Sequence, residues 1–107
     1  MQIEMLDHVA GARDARGIAV VIDVFRAFSV ACYAIDAGAA RVLPAGEIAE
    51  ALALGRRFPG ALLAGERHAR KLPGFDAGNS PTEIRALDLR GKVLVHTTHA
   101  GTQGLVN

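Results

Sequence analysis

The sequence predicts an α/β fold: a mainly parallel sheet with alternating helices on both faces, in αβα layers. Short apolar runs rich in β-branched residues suit strands that are buried on both sides. They alternate with segments that carry apolar residues at helical spacing, as right-handed crossovers between parallel strands require. Half of the 107 residues are apolar, which is enough for one core, and no linker or repeat divides the chain.

Four strands are predicted, each from a short apolar run. The first is the continuous β-branched run GIAVVIDVF, residues 17–25, and the second is ARVLPA, residues 40–45, which is stopped by Pro44. The third is GALLAGE, residues 60–66, and the fourth is KVLVHTT, residues 92–98. Residues 1–9 could add an edge strand.

The helices are predicted from spacing and from their end signals. Residues 26–39 end at Gly38, a natural C-cap, and residues 46–58 place Glu early and Arg late, which matches the helix dipole. A capping box starts a short helix with Ser80, Pro81 and Glu83.

HAGTQGL begins a further turn or helix, and the chain stops soon afterwards. We therefore predict that residues 1–107 are one incomplete α/β domain, the N-terminal part of a longer protein.

Composition excludes several classes of partner and location. Lys plus Arg is 12 and Asp plus Glu is 11, so charge gives no reason to expect nucleic acid or an anionic membrane. Cys32 is the only cysteine, which excludes an internal disulfide and fits a reducing compartment. No apolar run is long enough to span a bilayer and no signal peptide is recognisable. These features predict a cytoplasmic protein.

Polar residues follow three of the predicted strands, at the edge where open α/β sheets bind ligands. Asp23 is costly to bury without a partner, so it either ligates a cation or forms a structural pair with Arg26. Arg26 at a helix start opposes the dipole, a cost that a bound anion would offset. The residues concerned are Asp23 and Arg26, then Glu66 and Arg67, then Thr97, Thr98 and His99.

The loop LPGFDAGNSPTE leaves from this edge as well. Asp76 could be a second metal ligand or an acid–base group, or it could only make an Asx-turn. Gly78 and Asn79 would let a ligand approach the helix start at Ser80. The alternative for the whole segment is an ordinary helix entrance.

Two further segments at this edge of the sheet, which we call the rim, also allow more than one interpretation. Glu66 and Arg67 are either a ligand and an anion clamp or part of an ordinary surface loop. The threonine-rich turn can cradle an anion, with His99 as a general acid or base. His96 is predicted to be a satisfied, semi-buried histidine, and His68 to belong to a solvated basic stretch.

Four motifs in this order resemble the 2-phosphosulfolactate phosphatase family: VVIDVFRAFS, LLAGER, GFDAGNSP and TTHAGT. The resemblance implies a Mg²⁺-dependent phosphatase that converts 2-phosphosulfolactate to sulfolactate and phosphate, a step toward coenzyme M. The chain departs from the family pattern at Phe25, Phe28 and Ala100, which bears on the substrate more than on the fold.

With this resemblance, residue roles are assigned as hypotheses. The nucleophile is either metal-bound water or Asp23 itself. The catalytic candidates are Asp23, Arg26, Asp76 and His99, and the metal candidates are Asp23, Glu66 and Asp76. The phosphate-binding candidates are Arg26, Arg67, Gly78, Asn79, Ser80, Thr97, Thr98, Gly101 and Thr102.

Two rival classes remain at this point: a non-catalytic anion-binding domain of the same family, and a structural α/β module whose rim residues form internal ion pairs. The predicted partner is a small anionic phosphoester, with neither nucleic acid nor membrane involved. A homo-oligomer is compatible with the sequence.

Overall fold

The computed structural model describes residues 1–106 and has the predicted α/β architecture. Within these residues four strands form a single sheet. The strands are β1 Arg41–Pro44, β2 Leu62–Arg67, β3 Arg70–Lys71 and β4 Val93–Thr97. The helices are α1 His8–Ala12, α2 Ala27–Asp36, α3 Ile48–Arg57, α4 Pro81–Arg85 and α5 Gly101–Val106.

The sheet has the order β1-β4-β2-β3 and is mainly parallel, as predicted. β4 pairs in parallel with β1 and with β2, so Val95 lies opposite both Leu43 and Leu63. The two-residue β3 adds a short antiparallel pair to β2. Because β1 and β2 flank β4, their carboxyl ends meet at one edge beside Thr97.

Helices cover both faces of the sheet. Leu94 and Ala64 face one core with Val30 of α2 and Ile84 of α4. The next residue along β4, Val95, faces the opposite core, which includes side chains from α3 and from the loop after β3. This alternation follows from the two-residue period of a strand, and it confirms buried strands with helices on both sides.

The end of α2 follows the sequence prediction closely. Gly38 has a φ of 91°, a left-handed conformation that glycine adopts without steric cost. The Gly38 N–H donates to Ile35 O at 2.9 Å and the Ala39 N–H to Ala34 O at 3.0 Å. This pair of bonds is a Schellman motif, and it turns the chain directly into β1.

The predicted strand over residues 17–25 is wrong. Residues 18–23 have no regular secondary structure, and Val20 and Ile22 are each 80% exposed. The segment lies against α5 instead of the sheet, because Val21 reaches Gly104 and Asp23 reaches Gly101. A β-branched run favours a strand only when a neighbouring strand pairs with it, and this run has none within residues 1–106.

The edge strand suggested for residues 1–9 is also wrong. Residues 1–7 have no regular structure, and α1 begins at His8. α1 packs against α5 and contributes no buried residue.

Candidate active site at the carboxyl edge of the sheet

The carboxyl ends of β2 and β4 bring polar residues from both strands together, as the sequence predicts. Gly65 and Thr97 are register partners, so Glu66 and Arg67 follow on one strand where the Thr97–Gly101 turn follows on the other. An added Cβ at Gly65 would lie 2.9 Å from Thr97 O. The glycine therefore permits close packing directly beneath the rim.

Glu66 organises this rim through the backbone. It is 9% exposed, and its Oε1 accepts the His99 N–H at 3.0 Å while its Oε2 accepts the Ala69 N–H at 2.9 Å. Burial raises the pKa of Glu66, but the two backbone hydrogen bonds and the nearby Arg67 charge outweigh it and hold the pKa below its usual value. Glu66 is thus a carboxylate that joins the β2–β3 turn to the turn after β4.

Arg67 joins three segments beside Glu66. Its Nη1 donates to Glu66 O at 2.8 Å, and its Nη2 donates to Gly46 O and to Thr97 Oγ1, both at 3.0 Å. Both terminal nitrogens are therefore engaged by protein oxygens. The guanidinium connects the ends of β2 and β4 to the loop before α3.

Thr98 and Thr102 bond mainly to each other. The Thr98 N–H donates to Thr102 Oγ1 at 2.8 Å, and the Thr102 N–H donates to Thr98 Oγ1 at 3.2 Å. Both side chains are almost fully buried. This reciprocal arrangement caps the first turn of α5, satisfying donors that a helix start otherwise leaves unpaired.

Asp23 reaches the same turn from the N-terminal segment. Its Oδ2 lies so close to Gly101 that a Cβ added at position 101 would overlap this oxygen. The same Cβ would lie 2.6 Å from the Cβ of Ala27. Asp23 Oδ1 is buried and has no hydrogen-bond partner within residues 1–106. A buried carboxylate oxygen without a donor is unfavourable, and a hard cation is a ligand that would satisfy it. Asp23 thus fits the predicted role of a Mg²⁺ ligand.

Arg26, at the start of α2, is exposed. In the described part of the chain the one ion pair joins Arg90 to Asp88, so no salt bridge links Arg26 to Asp23. The structural Asp–Arg pair considered from the sequence is not formed, and the guanidinium faces solvent near the rim.

His99 and His68 lie next to each other at this rim. Their ring centroids are 5.2 Å apart and tilted by 42°, and both residues are exposed. The Glu66 hydrogen bonds to His99 N and Ala69 N set this proximity. The basic residues next to His68 in the sequence predict a solvated stretch, and its contact with His99 follows only from the pairing of β2 with β4.

Asp76 lies in the loop between β3 and α4, where it contacts β2 away from Glu66. Its Oδ2 accepts the Leu63 N–H at 2.7 Å, and its own N–H donates to Leu63 O at 2.8 Å. Leu63 precedes Glu66 by three residues, about 10 Å along a strand. Asp76 thus secures the loop to the outer side of β2, where Ala77 continues in a parallel bridge with Ala64.

The helix entrance after this loop differs in detail from the prediction. Ser80 is the N-cap of α4 but makes no side-chain capping bond. Glu83 Oε2 instead accepts the Gly78 N–H at 2.6 Å. The predicted capping box is therefore wrong, because Glu83 reaches two residues further back than Ser80. The same bond occupies the N–H of Gly78, one of the predicted phosphate-binding residues.

The side chain of Asn79 forms a hydrogen bond with the buried ring of His96. The His96 Nε2 and Asn79 Oδ1 are 3.1 Å apart, and His96 is 2% exposed. Burial lowers the pKa of His96 to about 4, while the negative charge of Glu66 acts in the opposite direction. His96 has a hydrogen-bond partner, as predicted, but it is fully buried and not semi-buried.

The predicted metal ligands Asp23, Glu66 and Asp76 do not form a single three-ligand cluster. Among residues 1–106 no three His, Cys, Asp or Glu side chains lie together as a metal-binding group. One or two carboxylates can suffice for Mg²⁺, which usually retains waters. In the same part of the chain, none of the helices combines the length and apolar character needed to cross a membrane.

Comparison with known proteins places these features in a family context. The profile described as 2-phosphosulpholactate phosphatase matches residues 5–107. A Carboxydothermus hydrogenoformans protein is 41% identical over 106 residues, and a Thermotoga petrophila protein is 51% identical over 85. Both relatives carry the name "probable 2-phosphosulfolactate phosphatase".

The matches cover most of this chain but less than half of each relative. The first covers 98% of this chain and 44% of the relative, and the second covers 79% and 37%. A Thermoplasma acidophilum relative of the same name is 41% identical over 79% of this chain and 39% of its own length.

Proposed function

Since the chain belongs to the 2-phosphosulfolactate phosphatase family, we propose that the intact protein hydrolyses a small phosphate monoester with the help of Mg²⁺. The substrate suggested by the relatives' names is 2-phosphosulfolactate, whose hydrolysis gives sulfolactate and phosphate. In this reaction water oxygen bonds to phosphorus, the ester P–O bond breaks, and the leaving alkoxide takes up a proton. A role in coenzyme M synthesis belongs to the same proposal.

The observation that carries the proposal is the buried, unpartnered Oδ1 of Asp23. A buried structural aspartate in the segment before a helix would be paired, and Asp23 Oδ1 has no such partner within residues 1–106. Its position against Gly101 puts the carboxylate at the end of the threonine-rich turn, where α5 begins. This is the charge and placement expected of a group that holds a cation beside a phosphate.

Mg²⁺ would be held by Asp23, with Glu66 as the second candidate ligand, and when bound it would neutralise negative charge on the phosphate. Glu66 already accepts two backbone hydrogen bonds, so its first role is to position the two turns. Asp76, the third ligand predicted from the sequence, is not included in this proposal, because its carboxylate Oδ2 already accepts the Leu63 N–H.

Anion binding is assigned chiefly to Arg26 and Asn79. Arg26 is exposed and has no ion pair among the described residues, so its planar fork is available for phosphate, carboxylate or sulfonate oxygens. Arg67 would add positive potential, because its terminal nitrogens are already hydrogen-bonded to protein oxygens. His99 is the candidate proton donor to the leaving alkoxide, held in place through its backbone N–H.

The test is phosphate release by the intact protein and by its Asp23→Asn variant. The assay uses 2-phosphosulfolactate and a panel of small phosphoesters, with and without Mg²⁺. We expect Mg²⁺-dependent release by the unaltered protein and a loss of at least about 100-fold in D23N, the scale on which a misplaced reacting group is felt. Asp36→Asn is the matched control, because Asp36 is an exposed residue at the end of α2.

Two results would contradict the proposal. If D23N keeps nearly full Mg²⁺-dependent activity, the assignment of Asp23 is wrong. If the intact protein binds phosphate but releases none from any ester, a non-catalytic anion-binding domain is the better description.

A further inference from the structure

We propose that His96 is a positioning residue that orients the Asn79 amide so that its Nδ2 group can donate hydrogen bonds to a substrate anion. The inference rests on the proposed function and adds to it a residue that lies outside the predicted anion-binding set. Its basis is the contact between a buried ring on β4 and the loop that precedes α4.

The first step concerns the ring. His96 is 2% exposed and lies in the β4 register between Ala64 of β2 and Pro44 of β1. A buried ring flanked by two strands has little freedom to rotate or shift. A buried imidazole is most stable when neutral, and then only one of its two nitrogens carries a proton.

The second step concerns the amide. With Asn79 Oδ1 3.1 Å from His96 Nε2, the ring donates through Nε2–H and the amide oxygen accepts. The Asn79 Nδ2 group then points away from the ring, because the two ends of a planar amide diverge. Nδ2 makes no hydrogen bond to any residue from 1 to 106, and Asn79 is partly exposed.

The third step concerns the surroundings. The Ala64–Ala77 bridge and the Gly65 N–H bond to Ala77 O at 3.0 Å fix the backbone just before Asn79. A second bond, from Gly78 N to Glu83 Oε2, fixes the residue immediately preceding it. With the backbone held by these bonds, the remaining freedom of Asn79 is its side-chain rotation, and His96 limits that rotation. A donor ordered in advance binds an anion without paying the entropy of ordering.

The experiment uses the intact protein and four variants: His96→Phe, His96→Gln, Asn79→Ala and the H96F/N79A double variant. Inorganic phosphate is the binding probe, followed by titration calorimetry, and kcat and KM are measured with the best phosphoester. We expect H96F and N79A each to weaken phosphate binding and raise KM about tenfold, the value of one hydrogen bond to a charged group. We expect H96Q to restore affinity, because its amide can donate to Asn79 Oδ1.

The double variant separates positioning from general stability. If His96 acts through Asn79, H96F has no further effect on phosphate affinity once Asn79 is alanine, so the two effects are not additive. A structural role of His96 would lower thermal stability in both backgrounds and would weaken phosphate binding in both. In the unaltered protein, ¹⁵N NMR is expected to show His96 as the Nε2–H tautomer.

Several outcomes would overturn the inference. They are additive effects of H96F and N79A on phosphate affinity, an unchanged affinity in H96F, and an Nδ1–H tautomer of His96. If H96F does not fold, H96Q, N79A and the tautomer decide the question. Phosphate binding without ester hydrolysis would remove the proposed catalytic function but would leave the affinity comparison valid, so the two failures are distinguishable.

Discussion

The carboxylate of Asp23 rests directly on Gly101, at the first residue of α5. This contact joins an irregular N-terminal segment to the turn that follows the central strand β4. It depends on a missing side chain, since a Cβ at position 101 would overlap Asp23 Oδ2 and crowd Ala27. The glycine is therefore required by the approach of Asp23, although the sequence suggested a more general role in cradling an anion.

Gly101→Ala is expected to displace Asp23. The added methyl group must push away Asp23 and the start of α2, a kind of overpacking that costs about 1–3 kcal/mol. Phosphate release should fall by roughly 100-fold, because a displacement of about 1 Å in a reacting group has effects of that size. Chemical denaturation and the phosphate-release assay measure the two effects.

Gly104→Ala is the matched control on the same helix. A Cβ there would meet Val21 Cγ1 at 3.5 Å, an ordinary van der Waals contact. The change should stabilise the helix by up to about 1 kcal/mol and leave activity unaltered. Equal losses of activity in G101A and G104A would show that the contact between Asp23 and Gly101 has no special importance.

The two arginines of the rim are expected to respond differently to replacement by lysine. Arg67→Lys cannot reproduce the three hydrogen bonds to Glu66 O, Gly46 O and Thr97 Oγ1, and we expect it to lower the free energy of unfolding by about 1–3 kcal/mol. Arg26→Lys should change stability by less than about 0.5 kcal/mol, because Arg26 is exposed and free of ion pairs in the described chain. Instead, R26K should raise KM about tenfold through loss of the planar fork.

Urea denaturation and steady-state kinetics on both variants check this pair of expectations, and each variant serves as the control for the other. A stable R67K protein with a strongly raised KM would show that Arg67 contacts substrate directly, in spite of its hydrogen bonds to the protein.

Local signals predicted most of the fold correctly, and long-range contacts account for the errors. Gly38 predicted the end of α2 because the Schellman motif involves only neighbouring residues. The run 17–25 carries the strongest strand signal in the sequence, yet it forms no strand, since a strand also needs a partner. Glu83 predicted a capping box, but the position of Gly78, fixed by the bridge to β2, offered it a nearer donor.

The sequence predicts that the candidate site lies at the carboxyl edge of the sheet, but it does not predict which residues contact one another there. Register between β2 and β4 follows from their apolar patterns, and it brings Glu66 near His99. The bonds of Arg67 to Gly46 and of Asp76 to Leu63 join residues from separate elements. Spacing in the sequence carries no signal for such pairs, because they depend on how α3 and the loop pack on the sheet.

Acid is expected to destabilise the fold through His96. Its pKa is about 4 in the folded protein and 6.5 ordinarily, so the unfolded state binds more protons between these values. Stability is then complete above about pH 6.5 and falls by about 3 kcal/mol as the pH is lowered to 4. Glu66, whose pKa is lowered, adds a loss only below its ordinary value of 4.5.

His96→Gln should remove the part of this slope between pH 6.5 and 4, because glutamine does not titrate. His8→Gln, at an exposed position of α1, should retain the full slope. The free energy of unfolding of the unaltered protein, H96Q and H8Q is measured by urea denaturation at intervals of half a pH unit. A slope in H96Q equal to that of the unaltered protein would assign the acid sensitivity to other groups.

Asp76→Asn is expected to leave activity nearly intact, within about threefold. The contact that Asp76 makes is the acceptance of the Leu63 N–H at 2.7 Å, and an asparagine Oδ1 can accept the same bond. Asp76→Ala, by contrast, exposes that N–H to solvent and should lower the free energy of unfolding by about 1 kcal/mol.

Together the two variants separate a carboxylate that shapes the loop from one that ligates Mg²⁺, since asparagine preserves the hydrogen bond but not the charge. Activity and Mg²⁺ titrations on D76N decide the matter: a large rise in the Mg²⁺ concentration needed for activity would make Asp76 a ligand, and an unchanged titration would leave Asp23 as the principal carboxylate of the site.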